Sequence, residues 1–160
     1  MLTESYLRNI YDKQAERTLV GGQYAAQNKL YYGSGTWFYF NERFKKSIDL
    51  LPSEPGRCLD AGCGTGVYSA YIATFSETLL VSCDVSRNYL LKTKELCGQS
   101  GVISHLIHCD TSHLPFKDEA FDTILLLEVL EHVTDYRGTL KEIRRVCRDG
   151  GCLVFFSPRH

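Results

Sequence analysis

Short apolar runs alternate with amphipathic stretches from residue 57 onward, and each change of period marks a new element. Arg57 to Ala61 reads as a short buried strand after the Pro/Gly-containing turn Leu51 to Gly56, and Val67, Ala70, Tyr71, Ala73 and Thr74 suit a helix. Thr78 to Cys83 is an apolar strand ending in Asp84. Ser86 caps a helix through Cys97, closed by Gly98. Val102 to Cys109 is a strand ending in Asp110, and Phe121 to Leu127 one ending in Glu128. A helix from Thr134 or Asp135 reaches Arg145 to Cys147 and stops at Gly150-Gly151. Cys152 to Phe156 is the last strand, before Ser157-Pro158. Short apolar strands in regular alternation with helices predict an α/β fold, a parallel sheet covered on both faces. Right-handed crossovers make it doubly wound, with any ligand beyond the strand C-termini.

The first third reads differently. Leu7, Ile10, Tyr11 and Leu19 recur at helical spacing between Thr3 and Val20, and Gly21-Gly22 breaks that helix. Tyr24 to Trp37 is rich in Tyr, Gly and Ser and reads as a mobile aromatic segment. Thr36 caps a helix to Leu50 with Phe40, Phe44, Ile48 and Leu51 on one face. The expected organisation is an N-terminal helical and aromatic cover, residues 1–52, on a core of residues 53–160. A length of 160 residues suffices for a real core.

Charge narrows the partners. A net charge of -1 and a pI of about 6.5 give no polybasic footprint for nonspecific nucleic acid or anionic membrane. No run is long enough to span a membrane, and the N-terminus lacks a secretory pattern. The seven cysteines form no C-x-x-C pair and several fall inside strands, which suits a reducing compartment, expected to be the cytoplasm.

The chemistry gathers at Asp60-Ala61-Gly62-Cys63-Gly64-Thr65-Gly66. Alternate glycines let the backbone turn sharply and come close to a ligand, between a strand and a helix. The spacing is G-x-G-x-G, not the G-x-G-x-x-G of a dinucleotide turn. With no Lys or Arg in the turn and Asp60 just before it, a pyrophosphate is repelled and a cationic ligand attracted. Asp60, Asp84, Asp110 and Glu128 each end a successive strand, so four carboxylates share one rim. Their mutual repulsion is relieved by a ligand presenting donors and positive charge.

Leu59 to Gly66 resembles the first motif of class I S-adenosylmethionine-dependent methyltransferases, of the small type typified by ubiquinone biosynthesis. The resemblance covers about Ser53 to Pro158 and implies a Rossmann-like strand order 3-2-1-4-5. Family members normally add a helix and an antiparallel hairpin after the fifth strand, whereas this chain ends at His160. The resemblance implies that Asp60 lies near the methionine ammonium, with Gly62, Cys63, Gly64 and Gly66 against the cofactor. Asp84 would accept from both ribose hydroxyls, and Val85 would pack on the adenine. Asp110 would accept from the adenine amino group with Thr111 beside it, and the stretch Asp110 to Asp122, including Leu114-Pro115-Phe116, would close the adenine pocket. Asp122 itself is expected to serve strand or turn structure.

Glu128 would also lie near the methionine moiety, and His132, then Glu128, are the candidate catalytic bases for a hydroxyl acceptor. Glu128-x-x-Glu131-His132 resembles a pattern that binds a divalent metal in some ubiquinone-type O-methyltransferases and small-RNA 2′-O-methyltransferases. Metal-free relatives carry Leu130-Glu131-His132-Val133 as well, and no metal is the reading adopted. The expected activity is methyl transfer from S-adenosylmethionine to a small molecule, with S-adenosylhomocysteine as product. RNA or protein methylation, a non-catalytic cofactor-binding paralogue or regulatory partner, and a nicotinamide oxidoreductase are the alternatives. The fifth strand, Cys152 to Phe156, is expected to leave an apolar edge open to self-association or a partner chain, which a lysine at Val154 or Phe156 would block.

Overall fold

The computed structural model describes residues 43–73, 75, 78–99, 101 and 103–157. The expected Thr3–Val20 helix, the Tyr24–Trp37 segment and the start of the helix expected at Thr36 lie outside them. The chain divides into two compact units, Met1–Lys45 and Lys46–His160. Residues 43–49 are helical; all the elements named below belong to the second unit.

Eight elements follow in order: β1 (Arg57–Ala61), α1 (Val67–Ile72), β2 (Leu79–Asp84), α2 (Arg87–Gln99), β3 (His105–His108), β4 (Phe121–Leu127), α3 (Tyr136–Val146) and β5 (Cys147–Phe156). They form one five-stranded sheet in the order β3-β2-β1-β4-β5, every pair parallel. The order reverses at β1, so the crevice beyond the ends of β1, β2 and β4 is where a doubly wound sheet binds ligands.

The period-two alternation of β4 separates two cores. Ile124 and Leu126 join Leu59, Ala61, Ile143 and Val146 on the α3 face. Leu125 and Leu127 join Cys58, Leu80, Val154 and Ile72 on the α1 face. Leu125 and Leu126 are both fully buried, which is why β4 reads as an unbroken apolar run. Each such side chain contributes about 1.5–3 kcal/mol on burial.

Three boundaries differ from the sequence pattern. β3 is four residues long instead of running from Val102 to Cys109, because it is an edge strand paired only with β2. α2 continues through Gly98 to Gln99; the left-handed glycine that follows it is Gly101, whose N–H bonds the Gly98 carbonyl at 3.2 Å. β5 starts at Cys147, not Cys152. Cys147 pairs with Phe121 straight out of α3, the chain then bulges through Arg148–Gly151 with Gly150 at φ 74°, and pairing resumes at Thr123 and Cys152.

β5 is the outer strand beside β4. Leu153 and Phe155 remain 44% and 47% exposed, while Val154 is buried. This corrects the expected test positions: Val154 and Phe156 face the α1-side core, so a lysine at Val154 would break packing, and Leu153 and Phe155 are the outward residues.

The opposite end of the sheet is stapled by Asp122. Its carboxylate accepts from the Arg57 backbone N–H at 2.8 Å and from Arg57 Nε at 2.9 Å, and pairs with Arg148 Nε at 3.0 Å. These contacts tie β1, β4 and β5 together, the structural role expected of Asp122. The Arg57 hydrogen bonds outweigh partial burial and hold the Asp122 carboxyl down at about 2. A carboxyl depressed on folding stabilises fully above its unfolded value, about 3.9, and the contribution disappears as pH falls through the folded value. Asp122→Asn is therefore expected to cost about 1 kcal/mol at pH 7, discounted for partial exposure. Urea titrations at pH 7 and pH 2 check it: the gap between wild type and variant should close at the lower pH.

Candidate functional site

All four rim carboxylates fall within two residues of a strand end: Asp60 next to last in β1, Asp84 last in β2, Asp110 two residues past β3, and Glu128 immediately after β4. Their surroundings separate their roles.

The glycine turn is built by its neighbours. The N–H groups of Gly62 and Cys63 both bond the Cys83 carbonyl, at 2.8 and 2.9 Å, and the Thr93 hydroxyl of α2 donates to the Gly64 carbonyl at 3.0 Å. A Cβ on Gly62 would lie 2.5 Å from Val129 Cγ2, and one on Gly66 2.7 Å from the Thr93 backbone. Those two glycines are demanded by packing within the fold. Gly64 is not: at φ 53° its backbone is left-handed, but among the described residues no atom lies within 4 Å of a Cβ placed there. Among the described residues the room at Gly64 serves no internal contact, and a ligand can lie against the backbone there. The Cys63 thiol is buried 3.4 Å from the Thr93 hydroxyl, so its side chain belongs to the support of the turn.

Asp60 is 3% exposed and turned toward α1, where the Ser69 hydroxyl donates to it at 2.5 Å. The chain of hydroxyls continues from Ser69 to Ser82 at 2.7 Å and Ser82 to Ser104 at 2.5 Å. Burial pushes the Asp60 carboxyl up to about 6, with nearby Asp84 adding to the rise and Ser69 opposing it. A buried, half-compensated carboxylate favours a nearby cationic group.

Asp84 spans the turn and the loop after β2: Oδ2 accepts from Gly64 N at 2.9 Å, and Oδ1 from Ser86 N at 2.7 Å. Two of the roughly four lone-pair positions of a carboxylate are thereby used, leaving two for further donors. Val85 follows with 70% of its surface exposed, an apolar side chain open to a flat ligand face. Asp110 Oδ1 takes both the backbone N–H and the hydroxyl of Ser112 at 2.8 Å, a turn that holds its carboxyl below the ordinary range. Thr111 is buried with its hydroxyl 3.2 Å from that of Thr139, so it offers a ligand only backbone.

Glu128 has φ 59°, a left-handed conformation that costs a side-chain-bearing residue about 1–2 kcal/mol. Its N–H bonds the Phe156 carbonyl at 2.8 Å, which holds the kink at the rim. Glu131 accepts from the Ser157 hydroxyl at 3.1 Å, and His132 is exposed. Among the described residues no three His, Cys, Asp or Glu side chains gather as a metal site.

Sequence reasoning passed over Ser69, Thr93, Glu142 and Arg145. Ser69 and Thr93 carry no local signal, since their partners lie 9 and 29 residues away. Glu142 and Arg145 had one in their i, i+3 spacing at the end of α3.

Comparison with known proteins agrees with this picture. The family model described as "Methyltransferase domain" matches residues 59–155. Cycloartenol-C-24-methyltransferase of Arabidopsis thaliana is 30% identical over 142 residues, covering 79% of this chain and 42% of that protein. Demethylmenaquinone methyltransferase of Corynebacterium glutamicum is 32% identical over 115 residues, covering 72% and 46%. The chain thus spans less than half the length of these curated relatives. The PH0226 protein of Pyrococcus horikoshii superposes with a TM-score of 0.65 at 23% identity, over 72% of this chain and 55% of that one, a likeness of fold. Among the described residues, no helix is long and apolar enough to cross a membrane.

Proposed function

The chain belongs to the methyltransferase-domain family of class I, S-adenosylmethionine-dependent proteins, and from that premise we propose that it transfers a methyl group to a small-molecule acceptor. The observation that carries the reading is the pairing of an open, left-handed Gly64 with a rim of acceptors and no cation in the turn. S-adenosylmethionine fits that donor set: its ammonium suits Asp60, its ribose diol the remaining positions of Asp84, its adenine the Val85 surface and Asp110. Gly62, Cys63, Gly64 and Gly66 supply the backbone wall, with Thr111 behind the adenine. When bound, the cofactor supplies a methyl group activated by its sulfonium and leaves as S-adenosylhomocysteine.

The protein's own work is then to align the acceptor and exclude water. His132, exposed just past β4, is the proposed base for a hydroxyl acceptor, and the strained Glu128 the second candidate. Residues 1–52 are proposed as the cover over this core, and the unpaired cysteines suit a cytoplasmic protein. Incubation with methyl-labelled cofactor and pools of small molecules, RNA and protein tests the activity. Label in a small molecule is expected; label only in RNA or protein, or in nothing despite cofactor binding, would overturn the acceptor assignment or the catalysis.

We also propose that copies self-associate through β5, where exposed Leu153 and Phe155 adjoin backbone groups on the strand's outer side. Light scattering should show mass above 18.2 kDa rising with concentration, and Phe155→Lys should restore the monomer. A wild-type monomer across the whole range would contradict it.

A further inference from the structure

The loop between β3 and β4 is held to the sheet by one stripe of α3. Thr139, Glu142 and Arg145, three residues apart and so neighbours on the helix surface, take hold of successive loop residues. Thr139 meets Thr111, its hydroxyl 3.2 Å away. Glu142 Oε2 accepts the Leu114 N–H at 2.9 Å. Arg145 Nη2 donates to the Leu114 carbonyl at 3.0 Å, and Nη1 donates to the Phe116 carbonyl at 2.7 Å and to Asp118 at 2.8 Å. Glu142 also holds the guanidinium in register through Nε and Nη2, both at 2.7 Å. Both backbone groups of Leu114 are therefore bound by this one ion pair.

This is more than a surface salt bridge. Arg145 and Glu142 side chains are 29% and 18% exposed, and the contacts made are to main-chain groups that no strand or helix satisfies. A guanidinium has a fixed fork of donors that can grip two carbonyls and a carboxylate at once; an ammonium cannot keep that geometry. Pro115 lies between the two carbonyls that Arg145 binds, and Phe116 stacks edge-on with Phe121 at 4.9 Å, so the second half of the loop is rigid as well. Asp110 sits four residues before Leu114, at the other end of the same braced segment. Its position at the rim, two residues past β3, is thereby set from behind, through Thr111 and Leu114.

We propose that Glu142 and Arg145 are positioning residues for base selectivity: they fix the loop so that Asp110 reads the 6-amino group of the bound adenine. This rests on the cofactor reading above. The test is calorimetry with S-adenosylhomocysteine and with S-inosylhomocysteine, in which a carbonyl replaces that amino group. Wild type should prefer the adenosine ligand by about 30-fold or more, as sites built around a specific hydrogen bond do. Arg145→Lys keeps charge and stem and should narrow the ratio to within about 5-fold, and Glu142→Gln should narrow it in the same direction. Arg57→Lys, which weakens the Asp122 staple at the far end of the sheet, should leave the ratio unchanged although stability falls. An unchanged ratio in folded Arg145→Lys and Glu142→Gln would overturn the inference, as would equal narrowing in Arg57→Lys. Wild type that binds neither ligand would instead remove the cofactor reading, and shows itself before any variant is compared.

Discussion

Gly64→Val is expected to abolish binding of S-adenosylmethionine while the sheet stays folded. Valine must adopt φ near 53°, where a β-branched residue is strained by about 1–2 kcal/mol. It also puts methyl groups into the space that Gly64 leaves open, where no atom of the described residues lies within 4 Å of the Cβ. The same change at Gly62 or Gly66 would strike Val129 or the Thr93 backbone and damage the fold itself. Thermal unfolding and calorimetry on the three variants separate the cases: loss of binding with modest loss of stability belongs to Gly64 alone. Normal binding by Gly64→Val would show that the ligand does not approach this turn.

The second large effect has opposite signs in two measurements. Asp60 carries a carboxyl raised to about 6 by burial, so folding raises its affinity for a proton. A carboxyl raised on folding costs no stability below its unfolded value, about 3.9; the cost grows from there to about 6 and is complete above, at about 2–3 kcal/mol. Asp60→Asn removes that charge and should raise the unfolding midpoint at pH 8 by roughly 4–10 °C, a gain that vanishes below pH of about 4. Affinity for S-adenosylmethionine should fall roughly 10- to 150-fold, the range for losing a hydrogen bond to a charged group. Wild-type affinity should weaken as pH falls through about 6, because a proton then competes with the ammonium. A folded Asp60→Asn variant with unchanged affinity would take Asp60 out of the site.

The carboxylate rim was legible because strand ends are legible: apolar runs stop at Asp84 and Glu128, and the glycines after Asp60 mark a turn. What lies behind the rim was not. Asp60 alternates with Cys58 onto the α1 face, but its burial depends on Ser69 and Ser82, which look like any surface serines in sequence. Arg144 and Arg145 together read as basic residues favouring a helix C-terminus. Only the fold shows that Arg144 bonds exposed Asp149 while Arg145 reaches the Leu114 carbonyl 31 residues back. The start of β5 was hidden for a similar reason. Gly150-Gly151 signals a break, and the pairing of Cys147 with Phe121 before that break is a register fact between distant strands.

The most direct measurement is a calorimetric titration of the wild-type chain with S-adenosylmethionine and, separately, with a nicotinamide dinucleotide. The G-x-G-x-G turn, the acidic rim and the absence of a cation beside the glycines predict one-to-one binding of the former and no heat from the latter. Binding of the dinucleotide, or no heat with S-adenosylmethionine from folded protein, would contradict the account.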